Sequence, residues 1–185
     1  MQAIEKMNAV IFWPKRPSKK AIIGGNERME KQWQEALSKM TYGIYVLTTG
    51  SGDHINGMIA SWVTQISYDP PLILVAVHPN RRTHGMVKKT RAFALHPLSS
   101  EQKDMMSRFK GPDPRAKFEG IEWEKGLTGC PIIKDCVAFM ECRVKETYEP
   151  GNHTLFIGEI VNARAILDAS VLTTLEYPGT YTGRA

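Results

Sequence analysis

The chain has 185 residues, which is close to the usual size of one domain. Its composition, 42% hydrophobic and 23% charged, is that of a globular protein and excludes a disordered or collagen-like chain. The longest aliphatic run, residues 72–77, is too short to cross a bilayer, and the first residues lack the pattern of a secretory signal. We therefore expect a cytoplasmic protein with no membrane partner.

The positive charge is concentrated near the N-terminus. Residues 1–40 hold eight Lys and Arg against four Asp and Glu, whereas the other 145 residues hold sixteen against fifteen, for a net charge of +5. Nucleic-acid binding needs a basic surface with interleaved aromatic side chains, and only residues 15–20 have part of this character. We expect residues 1–40 to form a solvated arm with one helix, followed by a single domain over 41–185, and no nucleic-acid partner.

The predicted elements start with a helix and continue mainly as strands. Met29, Trp33, Leu37 and Met40 recur at helical spacing, which predicts a helix that packs through these side chains. Later runs of β-branched, aromatic and aliphatic residues, bounded by Gly, Pro and Asp, are typical of strands. The predicted strands are residues 43–49, 56–68, 72–77, 91–95, 136–148 and 153–167.

Two further helices and one long loop separate these strands. Thr83 can cap a short helix that carries Met86 and Val87, and residues 99–102 open another helix that runs toward Phe109. Residues 111–129 are rich in Gly, Pro and charge, which predicts a long excursion at the surface. Six short strands with few helices favour a mainly β fold, a small antiparallel barrel with helices at its ends.

The cysteines and histidines do not form a metal-binding pattern. Cys130, Cys136 and Cys142 are an odd number with no Cys-x-x-Cys pair, which fits neither a zinc or iron site nor a disulfide-stapled secreted domain. We expect buried reduced thiols, with a reactive Cys130 in its Gly-Cys-Pro turn as the alternative. The five histidines lack metal-ligand spacing with Asp, Glu or Cys, so no metal site is predicted.

Two segments could hold a ligand, although neither standard glycine-rich nucleotide motif is present. Residues 57–61 place small side chains on a strand, where a flat ligand could lie close to the backbone; a tight barrel corner would also explain them. Residues 80–83 lead into the short helix, where guanidinium, hydroxyl and helix amide groups could bind an anion; a solvated basic helix is the alternative. Together the two segments predict a site for a planar, phosphorylated cofactor.

Four segments in this order, residues 56–62, 69–77, 117–120 and 151–160, resemble a known family. The last, GNHTLFIGEI, is close to that family's GDHTLFIGEV. The family is the flavin reductase-like, FMN-binding split-barrel proteins, which include NAD(P)H:flavin oxidoreductases and flavoredoxins, and the resemblance covers roughly residues 41–183. It implies a six-stranded antiparallel Greek-key split barrel with flanking helices. It also implies a homodimer with FMN, or alternatively FAD, near the dimer interface and NAD(P)H as substrate.

The resemblance assigns roles to individual residues. His153 is the implied catalytic residue, near the approach of the nicotinamide, and residues 178–181 are implied to pack near the flavin. The implied cofactor-binding residues lie along the ring and ribityl chain (Met58, Ile59, Ala60, Ser61 and the adjacent Trp62), at the phosphate (Asn80, Arg82 and Thr83) and behind the site (Phe93 and Leu95).

Three differences from the family pattern leave three functions open. Ile59 stands where Thr is usual, Trp62 is bulkier than the usual residue, and Asn152 replaces Asp. The first function is a NAD(P)H-dependent flavin oxidoreductase that passes electrons through flavin to a flavin, protein or metal acceptor. The second, which Ile59 and Trp62 favour, is a flavoredoxin-like FMN electron carrier that NAD(P)H does not reduce directly. The third is a non-catalytic split barrel that binds another ligand.

Overall fold

The computed structural model describes residues 31–176 of the chain. Its helices are α1 (Lys31–Leu37), α2 (Arg82–Thr90) and α3 (Lys103–Lys110). Its strands are β1 (Tyr45–Ser51), β2 (His54–Ala60), β3 (Val63–Tyr68), β4 (Pro71–Val77), β5 (Ala92–Pro97), β6 (Trp123–Lys125), β7 (Pro131–Ile133), β8 (Ala138–Tyr148) and β9 (Thr154–Ala165). Most of the expected arm, residues 1–30, and residues 178–181 lie outside the described part of the chain.

Seven strands form one antiparallel sheet in the order β2-β1-β5-β8-β9-β4-β3, and β6 pairs separately with β7. The predicted strand over residues 56–68 is broken at Ser61 and Trp62, so its two halves become the edge strands β2 and β3. Because only two residues join these edges, the sheet must curl until its edges approach each other. The predicted mainly β antiparallel barrel is confirmed, with one of its six predicted strands divided in two.

Backbone hydrogen bonds hold the break between β2 and β3. The Val63 N–H donates to the Ser61 carbonyl at 2.9 Å, and the Ala76 N–H of β4 donates to the Trp62 carbonyl at 3.0 Å. Ala60 and Ser61 are buried at this corner. Small side chains fit there because the chain changes direction inside packed structure. The tight barrel corner, one of the two interpretations of residues 57–61, is therefore present.

The glycine of this segment is explained by packing between β2 and α3. A Cβ at Gly57 would lie 2.6 Å from the ring of Phe109, which is well inside van der Waals contact. Phe109 is 1% exposed and belongs to the part of the core that α3 covers. The group that approaches Gly57 closely is thus an aromatic side chain of the protein itself. At this one position the small residue is explained by packing and not by a ligand.

Helix α1 lies inside the segment where the periodicity predicts a helix, but the apolar side chains of that segment are exposed within residues 31–176. The exposed fractions of Trp33, Leu37 and Met40 are 60%, 49% and 52%. The prediction of a packing helix is therefore wrong for the described part of a single chain. Helical spacing indicates which side chains share a face, but it does not indicate what covers that face.

The predicted surface excursion over residues 111–129 is only partly at the surface. A short 3-10 turn at Ala116–Phe118 buries Lys117 and Phe118, each 7% exposed. The Phe118 ring meets the Phe109 ring edge-on, with 5.5 Å between the ring centroids. This loop therefore contributes to the core and, through Lys117, to the polar cluster described below.

The three cysteines are free and buried, which confirms the interpretation of Cys130, Cys136 and Cys142 as reduced thiols. Burial raises the pKa of Cys130, and raises those of Cys136 and Cys142 to about 12. A raised pKa disfavours the reactive thiolate, so the structure does not support a reactive Cys130. Within residues 31–176, no helix has the length and apolar character needed to cross a bilayer.

Candidate functional site

The two predicted ligand-binding segments lie against each other. The side-chain amide Nδ2 of Asn56, in β2, donates to the hydroxyl Oγ1 of Thr83, in the first turn of α2, at 3.0 Å. Both side chains are buried, at 2% exposure. This hydrogen bond joins the strand expected beside a flat ligand to the helix end expected beside an anion, although 27 residues separate them in the sequence.

Lys117 completes this polar cluster. Its ammonium Nζ donates to the side-chain oxygen of Asn56 at 3.1 Å and to the carbonyl of Gly57 at 2.8 Å. Burial lowers the pKa of Lys117, and the nearby Arg82 and Arg81 lower it further. Residues 117–120 contributed to the family resemblance, but nothing in that segment indicated this role, because the partners of Lys117 lie 61 and 60 residues earlier in the chain.

The N-terminal end of α2 carries excess positive charge. Arg81 is the N-cap residue, and no side chain caps the helix there. The ion pairs recorded among residues 31–176 join Lys88 to Glu149 and Lys145 to Glu159, so none pairs a carboxylate with Arg81, Arg82 or Lys117. Two guanidinium groups, an ammonium and the open amide end of a helix are donors of the kind that bind phosphate. This donor set fits the phosphate of a flavin nucleotide.

The predicted ring-binding residues of β2 point to two faces of the strand. Met58 and Ala60 pack with the core cluster that contains Leu47, whereas Ile59 packs against the cluster that α3 covers. Successive side chains of a strand alternate in this way, so they cannot all meet one ligand. Since β2 is an edge of the sheet among the described strands, one side of its backbone has no neighbouring strand. A flat ligand with polar edges would suit that side.

The two residues expected behind the site lie in the interior. Phe93 and Leu95 of β5 are both 0% exposed and pack in the same cluster as Ala60. The Phe93 ring lies directly over Gly158 of β9, where a Cβ would come within 2.6 Å of it. These two side chains can support the β2 region through packing, and neither reaches the surface.

His153 lies in an aromatic and imidazole cluster. Its ring centroid is 4.6 Å from that of Trp62 and 5.0 Å from that of His78. Burial lowers the pKa of His153, and His78 and Arg81 lower it further, which favours the neutral ring. Its Nδ1 is 2.8 Å from the side-chain oxygen of Asn152. Because an amide oxygen only accepts, Nδ1 carries the proton and Nε2 keeps a lone pair.

Two further residues lie near this cluster: Asn80, which was predicted to bind the phosphate, and His84, which was not predicted to have a role. Asn80 is exposed, and its backbone N–H donates to Nδ1 of His78 at 3.2 Å. The sequence did not single out His84, which is buried in α2 and lies 2.8 Å from the hydroxyl of Thr154 in β9. That contact fastens α2 to the strand that follows His153. The structure thus brings the helix end, the β2–β3 break and His153 into one region.

A cleft of about 730 Å³ is lined in part by Arg82. It lies between the β1–β2 turn, α2 and the loop before Lys117. Its charged lining consists of Asp53, Arg82, Lys89, Asp113 and Arg115. Since Arg82 borders both regions, the cleft extends the candidate site away from His153.

Comparison with known proteins gives consistent matches. A family model described as "Flavin reductase like domain" matches residues 37–183. A ferric-chelate reductase (NAD(P)H) of Archaeoglobus fulgidus is 36% identical over 77% of this chain and 87% of its own length. The FMN reductase (NADH) SmoA of Agrobacterium fabrum is 30% identical over 80% of this chain and 84% of its own length. BorF, the flavin reductase component of a bacterial two-component tryptophan halogenase, matches with a TM-score of 0.69 and 28% identity over 77% of this chain and 91% of that chain.

Proposed function

The chain belongs to the flavin reductase-like family, and we propose that it is a NAD(P)H-dependent flavin oxidoreductase that binds FMN. The observation that carries this proposal is the buried hydrogen bond between Asn56 and Thr83. This bond holds a sheet edge, which suits a flat ring, beside a cationic helix end, which suits a phosphate. A flavin nucleotide contains both a flat ring and a phosphate. Two of the relatives are named as reductases that use NADH or NAD(P)H, which supports the proposed activity.

We assign the cofactor-binding roles accordingly. Arg82, Thr83 and Asn80 hold the phosphate, and the edge backbone of residues 58–61 lies along the ring, with Trp62 beside it. Phe93 and Leu95 back this region through the packed core. The additional nucleotide of FAD would find room in the cleft beside Arg82. We propose residues 41–185 as the flavin-binding domain and residues 1–40 as an N-terminal arm and helix outside it.

A bound flavin supplies the chemistry, since it accepts a hydride from NAD(P)H and passes the electrons on. The protein's own residues orient the two reactants and limit access of water. His153 contributes a neutral ring whose Nε2 can accept a hydrogen bond from the carboxamide N–H of a nicotinamide. Trp62, 4.6 Å from His153, covers the same region with a large apolar surface. His153 is therefore the proposed catalytic residue through orientation of the substrate.

The contact between Trp62 and His153 also favours a second candidate function. A bulky ring lying against the proposed nicotinamide approach narrows it. A protein with this approach closed would carry electrons through FMN without direct reduction by NAD(P)H. The two functions share the cofactor and differ in whether a nicotinamide can reach it.

We further propose a homodimer and a protein that receives the electrons or the reduced flavin. The exposed apolar side chains of Trp33 and Leu37 in α1, and of Met40 three residues after it, support an interface with a second copy. The likeness to the flavin reductase component of a halogenase supports delivery of reduced flavin to a partner protein.

Sedimentation velocity with added FMN, followed at the flavin's visible absorbance, tests cofactor and assembly in one experiment. The proposal predicts that the flavin sediments with a species of two chains. Flavin that stays with the solvent would contradict the cofactor, and flavin that sediments with one chain would contradict the dimer. Both outcomes are read from the same boundary.

A further inference from the structure

Lys117 is a buried cation without a carboxylate partner among residues 31–176. It is 7% exposed, and its two recorded partners, the side-chain oxygen of Asn56 and the carbonyl of Gly57, are both neutral. An ammonium has three N–H donors, so these contacts use two of them. A buried charge is costly unless an opposite charge or further hydrogen bonds compensate it.

The surroundings of Lys117 add to this cost. Arg82 and Arg81 are close enough to disfavour its charged form, and the one acid that favours it is Asp113. No ion pair between Asp113 and Lys117 is recorded. Lys117 is therefore a buried cation whose charge two exposed guanidinium groups, those of Arg81 and Arg82, oppose. An anionic ligand that enters this cluster would relieve the repulsion and use the third N–H of the ammonium.

We propose that Lys117 recognises the phosphate of the flavin nucleotide and makes the site discriminate between FMN and riboflavin. This inference rests on the proposed function. The Asn56 side chain bonds both Lys117 and Thr83, so the ammonium is tied to the helix end that carries the other phosphate donors. Its bond to the Gly57 carbonyl also ties it to β2, so that the phosphate and the ring are placed relative to each other.

The test compares equilibrium affinities for FMN, riboflavin and inorganic pyrophosphate in the full chain. The variant Lys117→Met removes the charge, and Lys117→Gln removes the charge but keeps a hydrogen-bond donor. The control Lys134→Met makes the same change of net charge at an exposed lysine outside the cluster. Circular dichroism and thermal unfolding establish that each variant is folded.

We expect both Lys117 variants to bind FMN about 10- to 100-fold more weakly, the range for loss of a charge-assisted hydrogen bond. Their affinity for riboflavin should stay within about twofold of the wild type, since riboflavin has no phosphate, and Lys134→Met should bind both like the wild type. Equal weakening for FMN and riboflavin would overturn the inference, because Lys117 would then act only by holding β2. Unchanged FMN affinity would overturn it as well.

Pyrophosphate separates this inference from the proposed function. If the wild type binds no flavin but binds pyrophosphate through Lys117, the flavin function fails and the anion site stands. If the wild type binds FMN and neither Lys117 variant changes the preference over riboflavin, the flavin function stands and the inference fails. If pyrophosphate and flavin both fail to bind the wild type, both proposals are overturned.

Discussion

Replacing His153 with alanine is expected to slow the reduction of bound FMN by NAD(P)H about 100-fold while the affinity for FMN stays within about twofold. The ring lies 4.6 Å from Trp62 and 5.0 Å from His78, and His153 is not one of the proposed phosphate donors, which lie at the start of α2, in the loop before it and in the 3-10 turn. Loss of the ring removes the acceptor proposed to orient the nicotinamide. Stopped-flow absorbance under anaerobic conditions measures the rate, and a flavin titration measures the affinity.

A matched control for this experiment is His54→Ala. His54 is an exposed histidine at the start of β2, outside the cluster of Trp62, His78 and His153; it lines the cleft beside Arg82, which FMN does not need in this proposal. This control should be reduced at close to the wild-type rate. Wild-type reduction kinetics in the His153 variant would remove His153 from the catalytic step and leave it a packing residue beside Trp62.

The stability of the protein is expected to fall in mild acid because of His96. This histidine is 0% exposed. Its Nδ1 donates to the Val46 carbonyl at 3.1 Å, and its Nε2 accepts from the Ile133 N–H at 3.2 Å, so the ring is held in its neutral form between β1 and β7. Burial lowers its pKa from 6.5 to about 4.

The sign of the effect follows from proton binding. Between pH 6.5 and about 4 the unfolded chain binds a proton at His96 that the folded chain does not, so acid favours unfolding. The contribution is fully present above about pH 6.5 and is lost as the pH falls toward 4. The loss is about 3 kcal/mol in the free energy of unfolding.

Urea unfolding of the wild type and of His96→Asn, measured between pH 7 and pH 4, isolates this contribution. Asparagine can still donate to the Val46 carbonyl but does not titrate in this range. The unfolding free energy of the wild type should therefore fall more steeply with acid than that of the variant, by about 3 kcal/mol over the range. Parallel curves for the two proteins would contradict the role given to His96.

The strands were predictable because their signals are local. The run of aliphatic residues 72–77 becomes β4, and the long predicted strands at the C-terminal end become β8 and β9 with shifts of one or two residues. The break at Ser61 and Trp62 was not predictable from that pattern. It arises because β2 pairs with β1 while β3 pairs with β4, and pairing between distant strands leaves no local mark.

The start of α3 shows the same limit on a smaller scale. The predicted capping residues 99–102 form a turn, in which the Ser99 N–H donates to the side-chain oxygen of Gln102 at 3.1 Å, and the helix begins at Lys103. Of the two hydrogen bonds of a capping box, this is the one from the first backbone N–H to the side chain three residues later, and it forms in the turn before the helix. Side-chain hydrogen bonds of this kind stabilise turns as well as helix ends.

The candidate site was predictable where one segment carries the chemistry. Arg82 and Thr83 stand together at a helix start, which pointed to an anion. Lys117 lies in a segment that carried the family resemblance, but its role was not predictable, because that role depends on contacts with Asn56 and Gly57 that the fold creates. The opposite error occurred at Gly57, where a small residue suggested a ligand and the structure places Phe109 instead.

The visible absorbance of the FMN-loaded protein, recorded before and after anaerobic addition of NADH or NADPH, tests the proposed oxidoreductase most directly. The proposed function predicts that the band of the oxidised flavin disappears with at least one of the two nicotinamides, at a rate that His153→Ala lowers. A band that persists with both nicotinamides, in protein that has bound FMN, would contradict the reductase and leave the FMN electron carrier as the function.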